Sequence, residues 1–229
     1  MGGCALSQKW IGWIVFCALF LPVAAYAFSF SEAEDSERGQ EEARAAHIQW
    51  LTSVPCRSKL KDQKIGIMIG EQASGRMRAD QSNYGLFFDA INNRLRALGL
   101  KTYTPEQIKK QIAQAEIEAY LGGDPDAAIT AARRLAANFL LKGVIVAHTG
   151  VNPVIGVKEV AVTMTFTLSD ASGRILSTVT TSSESYSGSD VVGTALKLVN
   201  EKADEVVAKL YHDYCRQPEP TRASPKKRK

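Results

Sequence analysis

The residues best placed to do chemistry lie in "IGIMIGEQASGRMRAD", Ile65 to Asp80. An apolar, strand-like run ends at Gly70, and Gly75-Arg76 follows after four intervening residues, the spacing of a phosphate-binding loop. Such a loop needs a lysine to reach the phosphates, a hydroxyl to hold magnesium, and a helix that begins at once. Here Arg76 stands in the first position and Met77 in the second, and no helix can be placed before Ser82. The reading is a strand that runs into a charged, glycine-punctuated loop, with no nucleotide and no cofactor. Arg76, Arg78 and the nearby Tyr84 then lie beyond the C-terminal end of that strand, where open sheets often hold ligands. Anionic partner surfaces are their functional match, and a plain solvated loop is the alternative. His148, in "VAHTG" just after a later strand, is the fourth candidate contact residue, although a plain strand-end role fits it as well.

Catalytic constellations are thin. There is no H-E-x-x-H, and the serines of "SSES" and "GSD" lack G-x-S-x-G framing. A Ser-His-Asp set can be composed from His148 or His212 with many serines, but any chain of this size permits that. "GGDPD" reads as a helix start, not a metal site. Trp50 and the Phe87-Phe88 pair read as core. Nothing in these patterns argues for an enzyme.

The ends of the chain bound its compartment. Residues 1–27 carry Lys9, the uncharged run "WIGWIVFCALFLPVAA" and the small-residue pattern "AYA", which together read as a cleaved export signal; an uncleaved anchor is the alternative. Cys17 follows bulky Phe16, which argues against lipidation. Losing Lys9 takes the formal charge from +4 to +3, too weak a balance to argue for nucleic acid. Cys56 and Cys215 are the two cysteines left in the exported chain, and in an oxidising compartment one disulfide is expected, with two independent thiols as the alternative. The histidines show no ligand spacing with either cysteine, so no metal is expected. Residues 28–55 form an acidic lead-in in which a first short helix can start near Glu41. Residues 56–215 read as one domain, and 216–229, with three prolines and "KKRK", as a disordered basic tail. Weak contact of that tail with an anionic membrane or cell-wall polymer is its functional reading.

Inside the domain the periodicity alternates. Ile65 to Ile69 is a buried-type strand, and Phe87, Ile91, Leu95 and Leu98 share one helical face that stops at Gly99. "LKTYT" is a short strand, Thr104-Pro105 opens a capped helix, and Asp124-Pro125 opens another. "NFLLKGVIVAHTG" is a strand. In "KEVAVTMTFTLSD" Val160, Val162, Met164, Phe166 and Leu168 alternate with Ala161 and threonines, so one face is buried and one polar. A turn at Asp170 to Gly173 returns the chain antiparallel, and Ser189 caps a last long helix. The expected fold is α+β (mixed α/β), a two-layer sandwich in the order β-α-β-α-α-β-β-β-α with a central antiparallel hairpin.

Three segments carry a resemblance: "TPEQI" after a short strand, "AARRLAANFLLKGVIV" from helix to strand, and the hairpin "FTLSDASGRIL". Over residues 63–187 the chain resembles a superfamily of bacterial envelope proteins. Its members include the lipoprotein activators of penicillin-binding proteins (LpoB), the curli secretion channel subunit (CsgG), a flagellar periplasmic assembly protein (FlgT) and the N-terminal domain of TolB. These signatures belong to a scaffold and carry no catalytic residues. Asn138 stands where the family usually has glycine, and "STVTTSSESYSG" is too polar on both faces for a lipid-facing hairpin. The resemblance implies a non-enzymatic periplasmic module that docks on another envelope protein; the alternative is a small-molecule or polysaccharide binder, or an envelope hydrolase, with its ligand near Arg76, Arg78 and His148.

Overall fold

A computed structural model describes residues 30–73, 75–186 and 191–217. The expected export signal, Ser189 and residues 218–229 of the tail lie outside them. The chain divides into two units, residues 1–42 and 43–229. In the first, residues 30–42 are already helical and belong to α1, Phe30–Thr52, so the helix begins well before the Glu41 start read from the sequence. Good helix formers, chiefly Glu, Ala and Gln, sustain it without an apolar stripe.

In the second unit α2 (Arg57–Leu60) leads into β1 (Lys64–Ala73), β2 (Arg76–Arg78), a 3₁₀ turn (Gln81–Tyr84), α3 (Gly85–Ala97) and β3 (Lys101–Thr102). Then come α4 (Pro105–Gln111), α5 (Gln114–Gly122), α6 (Pro125–Leu135), β4 (Phe139–Val151), β5 (Lys158–Asp170), β6 (Ile175–Tyr186) and α7 (Val191–Arg216). One sheet runs β2-β1-β4-β5-β6, and β3 also pairs with β1. The β1–β4 and β1–β3 pairs are parallel, and the others antiparallel. This is the expected α+β sandwich, with β2 and two further helices, α2 and α5, added.

Both faces of β1 are buried, which explains its unbroken apolar run. Ile65, Ile67 and Ile69 meet Leu141, Ile145, the Val160-to-Leu168 row and the apolar stripes of α3 and α7. Met68 and Leu140 point the other way, onto Ile108, Ile117, Tyr120, Leu121 and the alanines of α6. Farther along the sheet, Thr163, Thr165 and Thr167 of β5 stay half-exposed, and Thr165 shares a 3.1 Å hydroxyl contact with Thr180. There the sandwich has two layers. Gly143 lets Phe166 lie across β4: a Cβ there would meet the ring at 2.6 Å.

The local signals are realised as hydrogen bonds. Thr104 accepts from the Gln107 amide at 3.3 Å while Gln107 Oε1 accepts from the Thr104 amide at 2.9 Å, a reciprocal cap. Asp124 accepts from Asp126 at 2.9 Å. At the β5–β6 turn Asp170 accepts from the amides of Ser172 (2.9 Å) and Arg174 (3.1 Å). Partial burial works against that carboxylate, but these bonds win and hold its pKa below the usual range. The turn's support is therefore full above the ordinary aspartate range and fades as pH falls through the lowered folded value.

Cys56 and Cys215 are joined, with Cα atoms 5.7 Å apart, tying the start of the unit's folded body to the last turn of α7. The Tyr211 hydroxyl beside them accepts from the Cys56 amide at 3.2 Å and donates to the Val54 carbonyl. Arg94 of α3 forks onto Asp204 of α7 at 2.6 and 2.8 Å. Trp50 corrects the sequence reading. It is 57% exposed and lies against the rings of His47 and His212 instead of in the core. Among the residues of its helix whose burial is described, only Leu51 is fully buried and Arg44, Ile48 and Thr52 are partly so, and a position one step round from Leu51 faces outward.

Cys56→Ser opens a loop with a sequence separation of 159 and should cost about 4–5 kcal/mol in the chain-entropy model, read from urea unfolding with and without reductant. Gly143→Ala should cost roughly 1–3 kcal/mol by overpacking Phe166 in the same assay.

Candidate functional site

The glycine-spaced segment forms a hairpin. β1 runs straight through Gly70 to Ala73, and β2 returns with Glu71 opposite Arg78, Gln72 opposite Met77 and Ala73 opposite Arg76. Gly75, at φ +74°, supplies the left-handed turn. A phosphate loop would start a helix here, and a strand returns instead. Gly70 has a packing reason: a Cβ would meet the Arg78 carbonyl at 2.9 Å and Met77 Sδ at 3.0 Å. Met77, at the hydroxyl position of a phosphate loop, packs against the core on the α4–α6 face.

Sequence reasoning missed Gln81. Its side chain is buried and imitates a strand. The Ile69 amide donates to Gln81 Oε1 at 3.0 Å, and Gln81 Nε2 donates to the carbonyls of Ile69 (2.8 Å) and Ala79 (2.7 Å). The outer edge of β1 is thus closed by β3 at one end, by Gln81 in the middle and by β2 at the other.

Of the four candidate contact residues, Arg76, Arg78 and His148 are exposed, and Arg78 lies 3.9 Å from Glu71. Tyr84 is only 7% exposed, and its hydroxyl donates to the Arg78 carbonyl at 3.1 Å. Burial, with Glu71 beside it, pushes its phenol upward. Tyr84 therefore supports the hairpin from beneath, while the other three face solvent near the same end of the sheet. Ser177, Asp213 and His212 do come together. However, Ser177 donates to Asp213 at 2.6 Å, and His212 lies 3.6 Å from the other carboxylate oxygen. The carboxylate stands between hydroxyl and imidazole, so His212 is not positioned to take the Ser177 proton. Among the described residues no group of three or more His, Cys, Asp or Glu can hold a metal ion.

Two other features stand out. β4 pairs with β1 only as far as Ile145, yet continues against β5 to Val151 opposite Lys158. This hairpin ends in exposed Val151 (63%), Val154 (88%), Ile155 (57%) and Val157 (37%). Its turn is closed from within. Asn152 donates to the Val157 carbonyl (2.9 Å), the Val154 and Ile155 amides donate to Asn152 Oδ1, Gly156 donates to the Asn152 carbonyl, and Pro153 has no amide proton. The tip can leave water with the amides of Asn152, Val154, Ile155 and Gly156 already paired.

The second feature is an open groove of about 550 Å³ between α3, β3 and the start of α4, lined by Phe88, Asn92, Arg96, Leu100, Thr102 and Gln107 among others. At its wall Asn92 is 9% exposed, and its Oδ1 has no hydrogen-bond partner among the described residues. The signal was present in the sequence: Asn92 sits four residues after Phe88, on the buried flank of α3.

No protein-family model matches the chain, and no curated protein matches its sequence. Similar solved structures include the lipoprotein GNA1162 from Neisseria meningitidis, at 14% identity over 63% of this chain and 97% of that one, with a TM-score of 0.44. The hypothetical protein CT253 from Chlamydia trachomatis matches at 12% identity over 67% and 98%, with a TM-score of 0.45. The LpoB C-terminal domain from Salmonella enterica matches at 16% identity over 56% and 93%, with a TM-score of 0.36. At these scores the architecture rests on the strands and helices described above, not on the likeness.

Gln81→Leu should destabilise the fold by roughly 2–4 kcal/mol, because two buried backbone groups of Ile69 lose their partner. Faster hydrogen exchange at Ile69 than at Ile67 would locate the loss.

Proposed function

We propose that this chain is an exported, non-enzymatic interaction or assembly module of the bacterial cell envelope that docks on a larger envelope protein. The observation that carries the reading is the projecting β4–β5 tip, four exposed aliphatic side chains on a turn in which the amides of Asn152, Val154, Ile155 and Gly156 are already bonded. The Cys56–Cys215 bond suits an oxidising compartment, and no described helix is long and apolar enough to cross a membrane.

Magnitudes set the size of the contact. Fully burying one aliphatic side chain is worth about 1.5–3 kcal/mol, while association costs an estimated 4–15 kcal/mol. Four such side chains do no more than roughly match that cost, so the tip needs further contacts for a lasting complex. Arg76, Arg78 and His148, exposed near the same end of the sheet, extend the footprint. The basic tail adds weak, salt-sensitive contact with anionic membrane or cell-wall polymer.

The test is affinity capture of the exported chain from envelope extract, read by mass spectrometry. The wild type should retain a discrete envelope protein, and the double variant Val154→Asp/Ile155→Asp should retain at least tenfold less, at unfolding stability within about 0.5 kcal/mol of wild type. Equal capture by the variant, or none by either, contradicts the reading.

A further inference from the structure

We propose that the groove between α3, β3 and α4 binds an extended peptide segment that ends in a free carboxylate. Three groups in the groove each accept a different part of such a ligand.

The first is a strand edge. β3 bonds to β1 through alternate residues: the Lys101 amide donates to the Gln63 carbonyl at 2.8 Å, and the Tyr103 amide to the Ile65 carbonyl at 3.4 Å. Thr102 between them turns its amide and carbonyl the other way, toward the groove, where no described strand flanks β3. A peptide backbone can add there as one more short strand.

The second is Asn92. A buried oxygen without a partner among the described residues is uncommon in native proteins, and its residue lines the open groove. A turn of the side-chain amide brings that oxygen to the groove, where it accepts a peptide amide. The third is Arg96, one helical turn further along α3. Asp62 and Lys101 are paired at 3.0 Å and offset each other, leaving Arg96 as the cation of the lining with no ion pair among the described residues. Its planar fork suits a carboxylate.

The geometry orders the ligand. The Asp62 amide donates to the Gly99 carbonyl at 3.0 Å, so Asp62, Gly99 and Lys101 close the end of the groove where Arg96 lies. A segment entering from the Thr104 end stops there, which favours a chain terminus over an internal acidic side chain. Asn92 and Arg96 are about 6 Å apart along the helix axis, close to two residues of extended peptide at about 3.4 Å each. Asn92 therefore reads an amide about two residues before the carboxylate. Phe88 and Leu100 supply the apolar floor for a small side chain.

The test is an NMR titration of the exported chain, residues 28–229, with acetyl-Gly-Ala-Val-Ala as the free acid. Two control peptides carry a C-terminal amide, one with the same sequence and one with an internal glutamate. The free acid should shift the amide signals of Asn92, Arg96 and Thr102 with a Kd below about 1 mM, and both amidated peptides should bind at least tenfold more weakly. Arg96→Gln should erase the preference for the acid. Asn92→Leu should weaken binding at least tenfold while the melting temperature holds or rises, since an unpaired buried oxygen has been removed. No shifts at about 10 mM peptide, equal binding of acid and amide, or stronger binding of the glutamate peptide overturns the proposal. So does a fall in melting temperature for Asn92→Leu, which would mark the oxygen as the partner of a structural water. None of these variants touches the β4–β5 tip, so failure here leaves the docking reading separately testable.

Discussion

The second unit is organised by a single constraint: β1 is buried on both faces, yet only one of its edges has a full-length neighbour. β4 covers one side over seven paired residues. On the other side, two-residue β3 and three-residue β2 leave a gap in the middle. A buried strand cannot leave its amides unpaired there without cost, and the side-chain amide of Gln81 fills the gap at Ile69. Holding Gln81 in place fixes the 3₁₀ turn, and that turn fixes where α3 begins. The glycine-spaced hairpin is the other half of this arrangement, since Gly70 admits Met77 and the Arg78 backbone only because it has no side chain.

The same constraint separates the surfaces available for contact. β3 is too short to need a further neighbour, so its outer edge opens into the groove beside Asn92 and Arg96. β4, released from β1 after Ile145, carries β5 outward to an apolar tip. α7 closes the opposite side of the core, anchored by the Arg94–Asp204 fork and by the disulfide at its end. The rigid parts are thus those buried on two faces or bonded across the core. The surfaces proposed for contact are where pairing ends.

Much of this was legible in the sequence, and the legible part was local. The alternation in "KEVAVTMTFTLSD" located β5 to the residue, the Thr104 and Asp124 caps started helices, and simple cysteine arithmetic paired Cys56 with Cys215. What escaped was set by distant partners. Nothing within a few residues says that Gln81 will bond to Ile69 or that Trp50 will face solvent. The β2 hairpin was hidden by its resemblance to a nucleotide loop, because the reason for Gly70 is a contact with Met77 and Leu121. The interaction sites were the least legible. Tyr84, singled out for its proximity to two arginines, faces inward, whereas Val151, Val154, Ile155 and Val157 of the tip fall between two strands read from the sequence and carry no local signal of contact.

The central claim is that this protein acts by contact through the projecting end of its sheet. Site-specific photocrosslinking in intact cells tests it most directly, with the reactive group placed at Val154 of the tip or at Thr180 on the open face of β6. The account predicts one discrete adduct from Val154 and none from Thr180. An adduct from Thr180 with nothing from Val154 would show that the partner, if there is one, meets a different surface.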